Sequence, residues 1–218
     1  MARNKYPEET VEKILEVALR LFLEKGYDKT SIQDIIDGLG GLSKGAIYHH
    51  FKSKEAILLA VTDRVGMESA REMDRLLHDS SLNGAGKLQK MFLSSWKNTP
   101  QRDFIASMPN LLQNPQLLSI HMASTIEDVV PHYILPVIKE GIADGSIQCD
   151  YPQEMADVLM LLTNVWMNPL IYPGDGEAVD RKIDFFNVLL NKLGFPSLEE
   201  GMAEHMHQME EKRKVSIP

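Results

Sequence analysis

The sequence predicts an all-α protein, a three-helix unit at the N-terminus followed by a larger helical domain. Three observations lead there. Apolar residues recur at the i, i+3, i+4, i+7 spacing of amphipathic helices along most of the 218 residues. No stretch of any length alternates apolar and polar residues as a half-buried strand would. The breaks between periodic segments fall at Gly, Pro, Asn and Ser, which cap and stop helices. There is no fixed-period repeat and no low-complexity linker. With 44% hydrophobic and 25% charged residues the composition is that of an ordinary globular protein.

The elements follow in order. Pro7 with Glu8 and Glu9 opens the first helix, because Pro tolerates the first turn and acids there complement the helix dipole. Val11, Ile14, Leu15, Ala18, Leu21 and Phe22 carry it to Lys25-Gly26, a C-terminal stop. Thr30 and Gln33 read as a capping box for a short second helix bearing Ile32, Ile35, Ile36 and Leu39, which ends in Gly38-Leu-Gly-Gly41. Ser43 caps a third, with Ile47 and Phe51 facing inward and Leu42 packing just before it. Ser53 caps a fourth, long helix from Lys54 to about His78, with Ile57, Leu58, Val61, Val65, Met73, Leu76 and Leu77 on one side. Asn83-Gly84 marks a break, after which Leu88, Met91, Phe92 and Trp96 keep helical spacing. Thr99-Pro100 and Asn114-Pro115 each read as a cap with a first-turn proline. Pro131 and Pro136 should kink or interrupt the segment from Pro115 to Gly141, and Asp144-Gly145 ends it. Two more helices, about 152–170 and 177–193, lead through Gly194-Phe-Pro-Ser to a polar tail.

Two domains are expected, residues 1–54 and 55–218. The net charge of −8 argues against a nucleic-acid partner until it is divided along the chain. Residues 1–55 hold nine Lys/Arg against nine Asp/Glu, and the remainder 14 against 22, so the acidic excess lies outside the N-terminal unit. Within it, Lys44, Lys52 and Lys54 fall in an eleven-residue stretch without a carboxylate, beside His49 and His50. That is a positive patch on a neutral module. The third helix turns Lys44, Gly45, Tyr48 and His49 away from Ile47 and Phe51. Gly45 costs about 1 kcal/mol against Ala in a helix, which points to a large partner approaching the backbone. A helix-turn-helix fits a DNA groove in that way, Lys, Tyr and His holding phosphates while Gly45 and Ala46 allow approach to base edges. The plain alternative is a surface helix, against which stand the glycine and the carboxylate-free cluster.

Gly41-Leu-Ser-Lys-Gly45 also matches the G-x-S-x-G of a nucleophile elbow, which would make Ser43 the nucleophile of a helical hydrolase. An elbow needs a buried strand leading into the turn, and the preceding IQDIIDGLG has helical period. A phosphate loop fails too, since Ser43 stands where G-x-x-x-x-G-K needs glycine. No carboxylate pair, His/Cys cluster or nucleotide loop elsewhere suggests catalysis, so no enzyme activity and no cofactor are expected.

The helix ending in LFLEKGYDKTSIQDI, with LSKGAIYHHFKSKEAIL after it, closely resembles the N-terminal signature of the TetR (TetR/AcrR) family of bacterial transcriptional regulators over roughly residues 8–60. The turn Gly38-Leu39-Gly40-Gly41-Leu42 carries one more residue than the family's usual A-G-V-S pattern. The resemblance implies that Thr30, Ser31, Lys44, Tyr48, His49, His50 and Lys54 contact phosphates, with Ser43, Gly45 and Ala46 nearest the bases. It implies a homodimer whose last two major helices form a four-helix interface, double-stranded DNA with a palindromic operator as partner, and a small-molecule effector that releases a repressor.

The rest of the chain bears on those expectations. The 152–170 helix, with Met155, Val158, Leu159, Met160, Leu161, Leu162, Val165, Trp166 and Met167, is apolar on nearly every face, and a second chain is a source of cover for it and for 177–193. Trp96, Phe104, Met108, His121, Met122, Tyr133 and Trp166 are the candidate ligand-binding residues, for an apolar or aromatic effector oriented by His121 or Tyr133. The same residues also suit a simple core, and the domain could instead bind a protein partner and no small molecule. His205 and His207 in the tail, and His121 with His132, lack the partners and spacing of a metal site, so none is expected. The lone Cys149 fits a small half-buried loop position in a reducing compartment. No apolar run long enough for a membrane span and no signal peptide are present, so a cytoplasmic address is expected.

Overall fold

A computed structural model describes residues 7–41, 44–97, 103–104, 107–108, 110–172, 174–195, 197 and 206–208. The expected contributions of Leu42, Ser43, Thr99-Pro100 and His205, and of the Ala46 and Trp96 side chains, lie outside what it describes. Every regular element among the described residues is helical.

Helix α1, Pro7–Lys25, carries Glu8 and Glu9 in its first turn and is stopped by Gly26 at φ 80°. Its apolar stripe of Ile14, Leu15, Ala18, Leu21 and Phe22 is buried. Helix α2, Ile32–Gly38, is capped one residue later than the sequence suggests. The Ser31 hydroxyl accepts from the Asp34 amide at 3.1 Å, and the Asp34 carboxylate accepts from the Ser31 amide at 2.8 Å. Thr30 is 1% exposed, and its hydroxyl donates to the Gly26 carbonyl at 2.8 Å and the Leu21 carbonyl at 3.3 Å. Both overlapping quartets fit a capping box, and burial under the α1–α2 turn takes Thr30 out of the role. Gly40 at φ 59° and Gly41 at φ 148° form the turn that follows, a backbone that only glycine adopts without strain.

Helix α3, Lys44–His50, is followed by α4, Lys54–Leu77, which Ser53 caps through the Ala56 amide at 3.2 Å. Helix α4 joins two apolar cores. Ile57, Leu58, Val61 and Val65 belong with α1, α2 and α3 in the core of the head, which also takes in Phe104, Leu111, Leu117, Leu170 and Ile171. Leu76, with Met73 and Leu77 packed against it, belongs to the second core. The N-terminal head and the domain behind it therefore share buried side chains across the expected boundary at residue 54.

Helix α5, Gly84–Lys97, starts against α7, Leu135–Asp144. The Gly84 amide donates to the Asp144 carboxylate at 2.7 Å and the Ala85 amide to the Ser146 hydroxyl at 3.0 Å. A Cβ at Gly84 would stand 2.2 Å from the Gly141 nitrogen, so the crossing requires glycine. The buried Lys87 ammonium donates to the Leu77 carbonyl and to both Glu140 oxygens, tying the end of α4 to α5 and α7.

Helix α6, Pro115–Ala123, capped by Asn114, runs without a break through a π-helical stretch, Ser124–Ile134, into α7. The interruption expected at Pro131 and Pro136 takes the form of this wider register, in which the Leu135 amide donates to Val130, five residues back. Helix α8, Pro152–Leu161, widens in the same way over Leu162–Trp166 and stops there, short of residue 170. Asn168 turns the chain, its side-chain oxygen accepting from the Leu170 amide at 2.9 Å. Helix α9, Gly176–Lys192, is capped by Asp175. Parts of the expected solvated tail return to the fold: Phe195 and Met206 are buried in the second core, and His207 Nε2 lies 2.7 Å from Asp180. No helix among the described residues is long and apolar enough to cross a membrane.

Candidate nucleic-acid interface

Among the described side chains of α3, one is fully buried and the others reach solvent. Ile47 is sealed in the head core, and Phe51 packs half-buried at its end. Lys44, Gly45, Tyr48 and His49 are all exposed, while His50 is half-buried. The Lys44 ammonium stands 5.9 Å from the Tyr48 ring, and Lys52 donates to the Tyr48 carbonyl at 3.0 Å, so two cations flank the tyrosine. The face thus offers ammonium, phenol and imidazole donors with a bare backbone at Gly45, a set suited to phosphate oxygens.

The head behind this face is braced at Tyr27. Its ring meets Phe22 edge-on at 5.4 Å, and its hydroxyl donates to Glu55 at 3.2 Å. Its amide donates to the Ser107 carbonyl at 3.2 Å, joining the α1–α2 turn to the domain behind. Burial, then the Glu55 charge, pushes the Tyr27 phenol far above its ordinary range. Glu55 is held below the usual carboxylate range, chiefly by its own amide and then by the Ser53 hydroxyl.

Two expected phosphate contacts are placed otherwise. Thr30 is buried and spends its hydroxyl on backbone carbonyls. Lys54 donates to the Tyr27 carbonyl at 2.9 Å with its ammonium 4.1 Å from the Tyr27 ring, an internal brace rather than a free cation. Ser31 is exposed beside Asp34, whose carboxyl the Ser31 hydroxyl and then Lys25 hold well below the usual range.

The described candidate ligand residues are distributed over both cores. Phe104 and Met108 lie in the head-side core, whereas Trp166 packs on the second core, its ring centroid 5.9 Å from that of Phe185. Tyr133 lies beside Asp74, its phenol pushed up by burial and then by that carboxylate. Met122 is half-buried on α6. His121 reaches across to α8, its Nε2 3.4 Å from the Asn164 carbonyl. Sequence reasoning missed Thr125, Thr163, Asn164 and Asn168, which surround that contact. For Thr163 and Asn164 the signal was the polar pair in LLTNVW, an interruption of an otherwise apolar run. Among the described residues no group of three or more His, Cys, Asp or Glu side chains is placed to hold a metal ion.

A three-helix head with an exposed, carboxylate-free basic helix, set on a larger helical domain, defines a helix-turn-helix DNA-binding regulator. The sequence profile of bacterial regulatory proteins of the tetR family matches residues 14–61. Over 190 residues, 84% of this chain and 90% of the other, the chain is 25% identical to the transcriptional repressor KstR2 of Rhodococcus jostii. It is 40% identical over 97 residues to YerO, an uncharacterized HTH-type transcriptional regulator of Bacillus subtilis, taking in 44% of this chain and only 32% of YerO. A transcriptional regulator from Cytophaga hutchinsonii shares the fold over 96% of this chain and 97% of its own, at TM-score 0.63 and 18% identity. Reduced NemR of E. coli does so over 94% and 96%, at TM-score 0.60 and 16% identity. Residues 14–61 thus carry the N-terminal domain of the tetR family of bacterial regulatory proteins, and the chain as a whole is similar to transcriptional regulators of the TetR/AcrR family.

Proposed function

We propose that the chain is a dimeric transcriptional repressor that binds a palindromic operator through α3 and is released from it by a small apolar or aromatic effector. The observation that carries the DNA-binding part is the exposed face of Lys44, Gly45, Tyr48 and His49, flanked by Lys52 and backed by the buried Ile47. KstR2 and a further relative of Mycobacterium tuberculosis are both described as repressors, which supports the direction of regulation. In this reading Lys44, Tyr48, His49, His50 and Lys52 hold phosphates, Ser31 lies at the edge of the site, and Ser43, Gly45 and Ala46 face the bases. Thr30 and Lys54 act behind them.

Dimerisation is supported by large apolar side chains left in solvent on α8 and α9: Val158 is 46% exposed, Leu161 49%, Phe185 53% and Val188 49%. A single chain leaves these uncovered, and a second copy would bury them while setting two α3 helices toward one DNA face. An effector acts only by binding the released form more tightly than the DNA-bound one.

The test is a gel-shift titration with the DNA flanking the protein's own gene against unrelated DNA, for wild type and Gly45→Glu, with and without small apolar compounds. A carboxylate at the exposed Gly45 should abolish specific binding at unchanged helical content. Normal binding by Gly45→Glu would remove α3 from the groove.

A further inference from the structure

A polar cluster lies where the two widened helices face one another. Thr125 and Thr163 are buried, and their hydroxyls are consumed on their own helices, donating to the His121 carbonyl at 2.8 Å and the Leu159 carbonyl at 2.9 Å. The Asn164 amide donates to the Met160 carbonyl at 3.2 Å and the Thr163 hydroxyl at 3.3 Å. Asn168 donates to the Asn164 carbonyl at 3.0 Å, the same carbonyl that His121 Nε2 faces at 3.4 Å.

A carbonyl only accepts, so Nε2 of His121 carries the proton and Nδ1 keeps its lone pair. His78 and His132 differ, each turning Nδ1 onto the carbonyl four residues back, at 2.8 and 2.9 Å. His121 Nδ1 has no hydrogen-bond partner among the described residues, and neither has Asn164 Oδ1. Both side chains are half-buried, and neither atom is sealed from a small molecule. Burial holds the His121 imidazole below its ordinary value, so the ring is neutral near pH 7 and offers no cation. His121 and Asn164, which meet at this contact, therefore each carry an acceptor without a donor among the described residues.

Their place in the fold matters as much as their chemistry. Leu117, Leu118, Val165, Leu170 and Ile171 on the same segments belong to the head-side core. Val130, Leu162 and Trp166 belong to the second core. The acceptor pair thus sits on the seam between them, and anything lodged there touches the packing that carries the DNA-binding head.

We infer that His121 Nδ1 and Asn164 Oδ1 form the polar end of the effector site, and that they select an uncharged apolar ligand bearing a hydroxyl or N–H donor. The inference rests on the effector reading above. A carboxylate, phosphate, ketone or ether would set an acceptor against two acceptors and leave all of them unpaired.

The test uses matched probe sets on one skeleton each: para-octylphenol, its methyl ether and para-octylbenzoate, and decanol, its methyl ether and decanoate. Binding to the full-length protein is followed by calorimetry. In at least one set the hydroxyl member should bind about tenfold more tightly than the ether and the acid. That ratio should fall toward one in His121→Phe and in Asn164→Leu, checked for wild-type helical content. An ether or acid binding as tightly as the alcohol, a preference that survives both substitutions, or no binding by any hydroxyl member would overturn the inference; the first and last outcomes need no variant. Operator release is read separately with the same compounds. Release by acids or ethers but not by hydroxyl probes keeps the effector reading and removes this one. Hydroxyl probes that bind at His121 without releasing DNA keep this site and remove its regulatory role.

Discussion

Thr30 and Ser31 are adjacent, of similar chemistry, and opposite in fate. Thr30 lies under the α1–α2 turn with its hydroxyl on the Gly26 and Leu21 carbonyls, whereas Ser31 caps α2 in the open. Thr30→Val should therefore cost about 1–2 kcal/mol in a urea titration, the penalty for unpairing a buried group. It should leave the salt dependence of DNA binding unchanged, because no phosphate contact is lost; a shallower slope would return Thr30 to the interface. The sequence could not separate the two residues, since both start a capping-box quartet and only packing chooses. Lys54 shows the same limit: its charge was legible, but its partner, the Tyr27 carbonyl, is a backbone group 27 residues away. His121 supplies a residue-scale test by pH. Burial lowers its folded-state pKa from the ordinary 6.5, so the unfolded chain takes up the proton first as the solution is acidified. Its contribution to stability is thus fully present above about pH 6.5 and lost as pH falls toward the folded value. Comparing wild type with His121→Gln by urea titration from about pH 8 to 5, wild type should lose the more stability on acidification. Parallel profiles would contradict the burial of a neutral ring.

At the scale of elements, most helices were legible because their apolar periods are long and their caps are local. Ser53, Asn114, Asp175, Gly26 and Gly145 mark ends where the sequence places them or within a residue or two. The sequence marked an interruption at Pro131 and Pro136 but not its form, a π register, and it marked none at the end of α8. The two glycines that matter on α4 and α5 have opposite environments. Gly66 is exposed on α4 with nothing within 4 Å of an added Cβ, so Gly66→Ala should stabilise the protein by about 0.5–1 kcal/mol. Gly84 meets the α7 backbone, and Gly84→Ala should destabilise it by about 3 kcal/mol or more as the crossing is forced apart. Thermal melts of both variants decide the matter. Similar melting points would mean that α5 and α7 are not in the close contact described.

For the whole molecule, the two cores and the exposed faces of α8 and α9 belong together. The sequence pointed to a second chain as a source of cover for the 152–170 and 177–193 helices, but not to which face is left over. The fold leaves out Val158, Leu161, Phe185 and Val188 while burying Leu159, Phe186 and Leu190. A charge on the uncovered side should therefore separate subunits without unfolding them: Leu161→Glu should sediment as a folded monomer with weakened operator binding. A Leu161→Glu protein that remains dimeric would place the interface elsewhere. The central claim is that paired α3 helices read DNA through a carboxylate-free face, and hydroxyl-radical footprinting on the DNA flanking the protein's own gene tests it most directly. The account predicts two protected half-sites related by a twofold axis and about 34–36 Å, or a multiple of that, apart, both lost in Gly45→Glu at unchanged helical content and sedimentation. A single protected site, or a footprint that persists in Gly45→Glu, would contradict it.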